Sequence, residues 1–264
     1  MPNPSPNSEK QPTMNTFIKD MTIPELINLF SQGERKAIIG YGDAEWCSLL
    51  DINLGTTTGL GQILDGVVGE RLAEILILRK YDTNFLISPP VCMWQYDYGL
   101  YGTITEGIEN FRETYNIRQT WYDRDLLTDA AAKKGELFPL ISWLQNKSLV
   151  IIGNEALENL DFLSPQKFIP VPSPNCHLDP QAIKKAINQA IEEPHPDIFL
   201  VSAGISSCLL IDELYDLCPT SSFIDCGSIW DAFVGIGGQR GWRGELYKNP
   251  QALETWKRKN LDGC

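Results

Sequence analysis

The segment AIIGYGDAEWCSLL, Ala37 to Leu50, decides how the rest of the chain is read. Ala37–Tyr41 is a short, continuous apolar run, the pattern of a strand covered on both faces of a parallel sheet. Gly40-Tyr41-Gly42 ends that run, and Asp43-Ala44-Glu45 opens a helical pattern. A strand feeding directly into a helix is the building unit of α/β architecture. The carboxyl ends of such strands are where open α/β sheets bind ligands.

The same alternation continues outward. Apolar runs at Asn84–Ser88, Ser148–Gly153, Phe168–Val171, Ile198–Ala203 and Ser222–Cys226 predict further strands. Thr22 to Glu25 (TIPE) predicts a capping box, hydroxyl and carboxylate satisfying free backbone amides at a helix start. Gly59–Arg79 carries an apolar stripe at helical spacing, and Asp125–Leu144, Asp179–Ile191 and Ser206–Leu217 read the same way. The expectation is one Rossmann-like α/β domain over residues 17–264, with a mostly parallel sheet and helices on both faces. Residues 1–16, polar and Pro/Asn-rich, are expected to form a disordered tail.

Composition limits the function classes. The chain has 264 residues, 43% of them hydrophobic, enough for a substantial core. Its 22 Lys+Arg against 34 Asp+Glu give a net charge of −12, the opposite of what tracking nucleic-acid phosphates requires. The 7 cysteines are scattered, with no Cys-x-x-Cys pair, so free thiols are expected instead of a disulfide framework or zinc site. The most apolar stretch, Ile198–Ile211, is shorter than the ~20 residues a bilayer needs. With no secretory pattern at the start, a cytoplasmic location is expected.

Asp43 and Glu45 admit two readings. At i and i+2 beyond a strand end, two carboxylates can share a hard divalent cation such as Mg²⁺ or Mn²⁺, which completes its shell with waters and substrate phosphates. Gly42 would let backbone approach the ligand closely. Alternatively, Asp43 only caps the helix and Glu45 complements its dipole.

Gly40–Trp46 (GYGDAEW) resembles the signature of the GT-D family of bacterial nucleotide-sugar glycosyltransferases, approximately Arg-Phe/Tyr-Gly-Asp-Gly-Glu. The likeness continues in order through Gly61-Gln62-Ile63, Leu86–Pro90, Ser148–Asn154, Ile169–Cys176, Phe199–Leu214 and Phe223–Asp231, covering most of residues 20–232. The resemblance implies a GT-D fold and a metal-dependent transfer of sugar from a nucleoside diphosphate, in the first place UDP. The acceptor would be a glycan or glycoconjugate. It implies Mn²⁺ or Mg²⁺ at Asp43 and Glu45, and substrate contacts within its landmarks at Tyr41, Gly42, Gly153 and Asn175. Two positions depart from the pattern: Gly40 replaces the Arg, and Ala44 replaces the second Gly. Another Arg must then supply the cation, or the donor differs, or activity is lost. The last case leaves a non-catalytic nucleotide-sugar or polysaccharide-binding module on the same fold. A Rossmann-like methyltransferase is disfavoured by the lack of a glycine-rich loop after the first strand.

Other segments offer candidate partners for such a donor. Gly204 and Ser206 lie where a strand turns into a helix, whose free amides can accept a phosphate. Gly235–Gly244 is Gly-rich and cationic, and reads either as a solvated loop or as a lid closing Arg240 and Arg243 over a diphosphate, with Trp242 stacking on a sugar. Arg124 sits where the family often places an Arg among aromatics. Asp225 and Asp231 are candidates for the base that deprotonates the acceptor hydroxyl. His177 and His195, in Pro-rich surroundings, read as loop residues. Trp94, Tyr96, Tyr98 and Tyr101 form an aromatic cluster suited to an acceptor-side loop.

Overall fold

The computed structural model describes residues 17–52, 66–95, 99–124, 130–238 and 241–263. The first half of the chain contributes β1 (Ile18–Lys19), α1 (Ile23–Phe30), β2 (Ala37–Gly40), α2 (Asp43–Leu49), α3 (Gly66–Arg79), β3 (Phe85–Ser88), α4 (Gly99–Thr114) and β4 (Trp121–Tyr122). There follow α5 (Ala131–Lys134), α6 (Phe138–Leu144), β5 (Leu149–Gly153), β6 (Lys167–Pro170), α7 (Pro180–Ala190), β7 (Ile198–Ser202), α8 (Ser206–Leu217), β8 (Ser222–Asp225), α9 (Gly241–Tyr247) and α10 (Pro250–Asp262). Six strands form one sheet in the order β3-β2-β8-β7-β5-β6, and each neighbouring pair is parallel. β1 and β4 pair separately, Ile18 opposite Trp121.

The continuous apolar runs follow from this layering. Along β2, Ala37 and Ile39 enter one core while Ile38 enters the other. Val150 and Ile152 of β5, and Phe199 and Val201 of β7, join the first; Leu149, Ile151, Ile198 and Leu200 join the second. Both faces of these three strands are dry, so no polar alternation is left for a sequence to display. The first core is closed by α2, α3, α4, α7 and α8, the second by α1, α5, α6 and α10. Helices on both faces of a parallel sheet are the expected architecture.

Local expectations fared unevenly. The capping box at α1 is formed: the Thr22 amide donates to Glu25 Oε2 at 2.8 Å and the Glu25 amide to Thr22 Oγ1 at 3.4 Å. The long helix is described only from Gly66; Gly59 to Asp65 lie outside the described residues, as do the expected tail at 1–16 and residues 125–129. The helix expected through Leu144 is instead two short helices. Gly135, left-handed at φ 77°, ends α5, and Pro139 sits in the first turn of α6. Six cysteines are free thiols, and Cys264 lies outside the described residues. No described helix is long and apolar enough to cross a membrane.

Candidate active site

A cavity of about 490 Å³ opens at the carboxyl ends of the strands. Gly42, Asp43, Ala44 and Glu45 line it from the β2–α2 turn, and Pro90, Cys92 and Met93 from beyond β3. Tyr101 of α4 and Arg124 beyond β4 form one side; Ser202 at the end of β7, and Asn154, Leu157, Ser173, Pro174 and Gly204 beyond β5, β6 and β7, line the other. Gly227, Ser228, Asp231, Ile236 and Gly237 close it beyond β8.

The β2–α2 turn places both motif carboxylates on the cavity and holds each by one oxygen. Glu45 Oε2 accepts from the Gly42 amide at 2.8 Å, and Asp43 Oδ1 from the Ala44 amide at 3.0 Å. Gly42, not Asp43, is the helix N-cap, with Glu45 three residues into the helix. Asp43 is exposed, whereas Glu45 is 6% exposed. Burial pushes the Glu45 carboxyl up to about 7, while the nearby Arg124 guanidinium pulls it down. Among the described residues, no cluster of three or more His, Cys, Asp or Glu side chains is placed to hold a metal by itself.

Arg124 is buried beside the carboxylate pair. Its backbone amide donates to the Pro89 carbonyl at 3.0 Å, and its Nη1 donates to Asp225 Oδ2 at 3.2 Å. Asp225 also accepts from the Gly40 amide at 2.9 Å and from the Gly227 amide at 3.0 Å. The Asp225 carboxylate is thus 3% exposed and occupied by three donors behind the cavity lining. It orients Arg124 and joins β2 to β8, an arrangement that does not suit the acceptor base expected of it. Asp231 does line the cavity.

The lid reading of Gly235–Gly244 is corrected by the structure. Residues 241–247 form α9, and Arg243 is 0% exposed, with Nη1 on Asp231 Oδ2 at 2.9 Å and Nη2 on the Ser228 carbonyl at 2.7 Å. Trp242 packs on Trp256 at 6.1 Å between ring centroids instead of awaiting a sugar. Arg240 lies outside the described residues. Composition suggested mobility here because glycines and cations usually stay solvated; the bonds Arg243 makes to Asp231 and Ser228 reverse that outcome.

The remaining candidates divide. Gly204 lines the cavity at φ 58°, a left-handed turn that a glycine adopts freely. Ser206, fully buried at the start of α8, Gly153 at the end of β5, and Asn175 are not among the lining residues. Tyr41 points into the core and its hydroxyl donates to the Leu72 carbonyl at 2.8 Å. Neither His177 nor His195 lines the cavity. Of the aromatic cluster, Tyr101 lines it, Trp94 packs edge-on against Phe17, and Tyr96 and Tyr98 lie outside the described residues. Sequence reading missed Ser202, Asn154 and Ser173. All three stand at or just beyond strand ends and inside segments that carry the family resemblance, the two signals that could have found them.

No family model matches the chain, and no curated protein does. Solved structures do. A selenomethionine-substituted domain of unknown function 1792 (DUF1792) aligns with a TM-score of 0.57 and 17% identity, over 88% of this chain and 82% of that one. A second, described as a highly conserved DUF1792 domain with a distinct glycosyltransferase fold, aligns at 0.58 and 17%, over 88% and 82%. This chain has that fold. A third, described as a new glycosyltransferase (DUF1792) from Streptococcus sanguinis, gives 0.56 and 18%, over 88% and 85%. At such identity the likeness is one of fold; function must be argued from the site.

Proposed function

We propose that this chain is a metal-dependent glycosyltransferase of GT-D type that moves a sugar from a nucleoside diphosphate, UDP in the first place, to a glycan or glycoconjugate acceptor. The observation that carries the reading is the charge of the cavity. Asp43, Glu45 and Asp231 line it against the single guanidinium of Arg124 among the described lining residues. A diphosphate enters such a site only with a cation to offset the carboxylates.

Asp43 and Glu45 fit that cation. Each has one oxygen held by a backbone amide, and Mg²⁺ or Mn²⁺ is commonly bound by one or two carboxylates with substrate phosphates completing the shell. Such an ion would offset the charge that grows on the departing diphosphate. Arg124 faces the same oxygens from a dry position, where a guanidinium interacts more strongly than in water. The Gly204 turn offers its backbone to the other end of the donor. Asp231, oriented by Arg243, is the carboxylate placed to take the acceptor's proton. Ser173, Ser202 and Asn154 add polar side chains to the lining, which suits a polyhydroxylated acceptor.

Incubation with Mn²⁺ and a panel of UDP-glucose, UDP-galactose and UDP-GlcNAc tests the reading. Release of UDP from at least one donor, abolished by EDTA, is expected. Donor binding without turnover across a broad acceptor panel would favour a binding module instead.

A further inference from the structure

Gly40, the last residue of β2, has no room for a side chain. A Cβ placed there would lie 1.0 Å from Nη1 and 1.9 Å from Cζ of Arg124. The guanidinium therefore fills the volume that any side chain at position 40 would take, three residues before the first carboxylate of the motif. Arg124 is delivered there by a rigid support. Trp121 is fully buried against Trp46, with centroids 5.6 Å apart, and its amide donates to the Phe17 carbonyl at 2.8 Å. Asp225 then reads both residues with one oxygen, accepting from the Gly40 amide at 2.9 Å and from Arg124 at 3.2 Å.

We propose that Gly40 is the residue that admits Arg124: the volume its absent side chain leaves empty is filled, from the segment beyond β4, by the guanidinium that faces the donor diphosphate. The inference rests on the proposed function for the ligand, but not for the shared volume. It explains how a chain with Gly at position 40 keeps a cation beside its carboxylate pair. It also makes any larger residue at 40 equivalent to losing Arg124.

The test compares UDP binding, with Mn²⁺ present, in the wild type, Arg124→Ala, Gly40→Ala and the double variant Gly40→Ala/Arg124→Ala. Arg124→Ala is expected to weaken binding about tenfold or more, the loss of a charge-assisted contact. Gly40→Ala should weaken it to a similar degree although Arg124 is still present, and the double variant should bind no worse than Arg124→Ala, because both changes remove one interaction. Gly40→Ala binding like the wild type would overturn the inference, and so would losses that add in the double variant. If the wild type does not bind UDP at all, the proposed function fails and the pair is read from thermal melting without nucleotide. There Gly40→Ala should lower the melting temperature of the wild type but not that of Arg124→Ala. Equal losses in the two backgrounds contradict the shared volume.

Discussion

Arg243 donates to Asp231 across 2.9 Å, and this pair ties the C-terminal helices to the cavity wall. The same guanidinium holds the Ser228 carbonyl at 2.7 Å and the Ser228 hydroxyl at 3.1 Å, so one buried side chain fixes the loop beyond β8. Removing it leaves a carboxylate without its cation. Arg243→Gln is expected to destabilise the fold by about 1–3 kcal/mol through the lost bonds to Asp231 and Ser228, less than for a fully buried pair because Asp231 reaches the cavity. Arg243→Lys should cost less, since it keeps the charge, but a single ammonium cannot span Asp231 and Ser228 as a planar fork does. Denaturant unfolding of the two variants checks the order.

Gly69 lets α2 and α3 touch. A Cβ there would meet the Ser48 carbonyl oxygen at 2.1 Å, a backbone atom that cannot swing aside. Gly69→Ala should cost about 1–3 kcal/mol by overpacking. Gly66→Ala, three residues earlier on α3 with open space around its Cβ position, should leave stability unchanged or raise it by up to about 1 kcal/mol. Equal losses at the two sites, read from melting curves, would contradict the packing account.

Glu45 sets a pH dependence with a definite sign. Its carboxyl is raised from 4.5 to about 7, so the folded state holds a proton that the unfolded state has released between those values. Stability from this group is present below about 4.5 and is lost as pH rises through about 7. Without metal, the wild type should lose more stability between pH 5 and pH 8 than Glu45→Gln, whose amide cannot ionise. Melting temperatures of both proteins across that range measure the difference, and parallel curves would show that Glu45 carries no raised pKa.

The parallel sheet was legible because strands such as β2 and β5 are dry on both faces, which makes Ile38-Ile39 or Leu149–Ile152 unbroken apolar runs. α10 escaped notice because only Trp256 and Asn260 of its thirteen residues are buried, too few to produce a stripe. The carboxylate pair was legible from its place at a strand end. Its Arg partner was less so: Arg124 and Asp225 are separated by 101 residues and meet only through the strand order. Local composition also misled at Arg243, whose glycine-rich surroundings read as a mobile loop while Asp231, twelve residues earlier, holds it in the interior. Pairings of this kind depend on tertiary contact, and periodicity carries no trace of them.

The account turns on whether Asp43 and Glu45 bring a divalent cation and a nucleoside diphosphate together in the cavity. Isothermal titration of the full chain with UDP, in Mn²⁺ and then in EDTA, tests that most directly. Binding in Mn²⁺ that is lost in EDTA, and weakened about tenfold or more by Asp43→Asn and by Glu45→Gln, is the predicted result. UDP binding that ignores both the chelator and the two substitutions would contradict it.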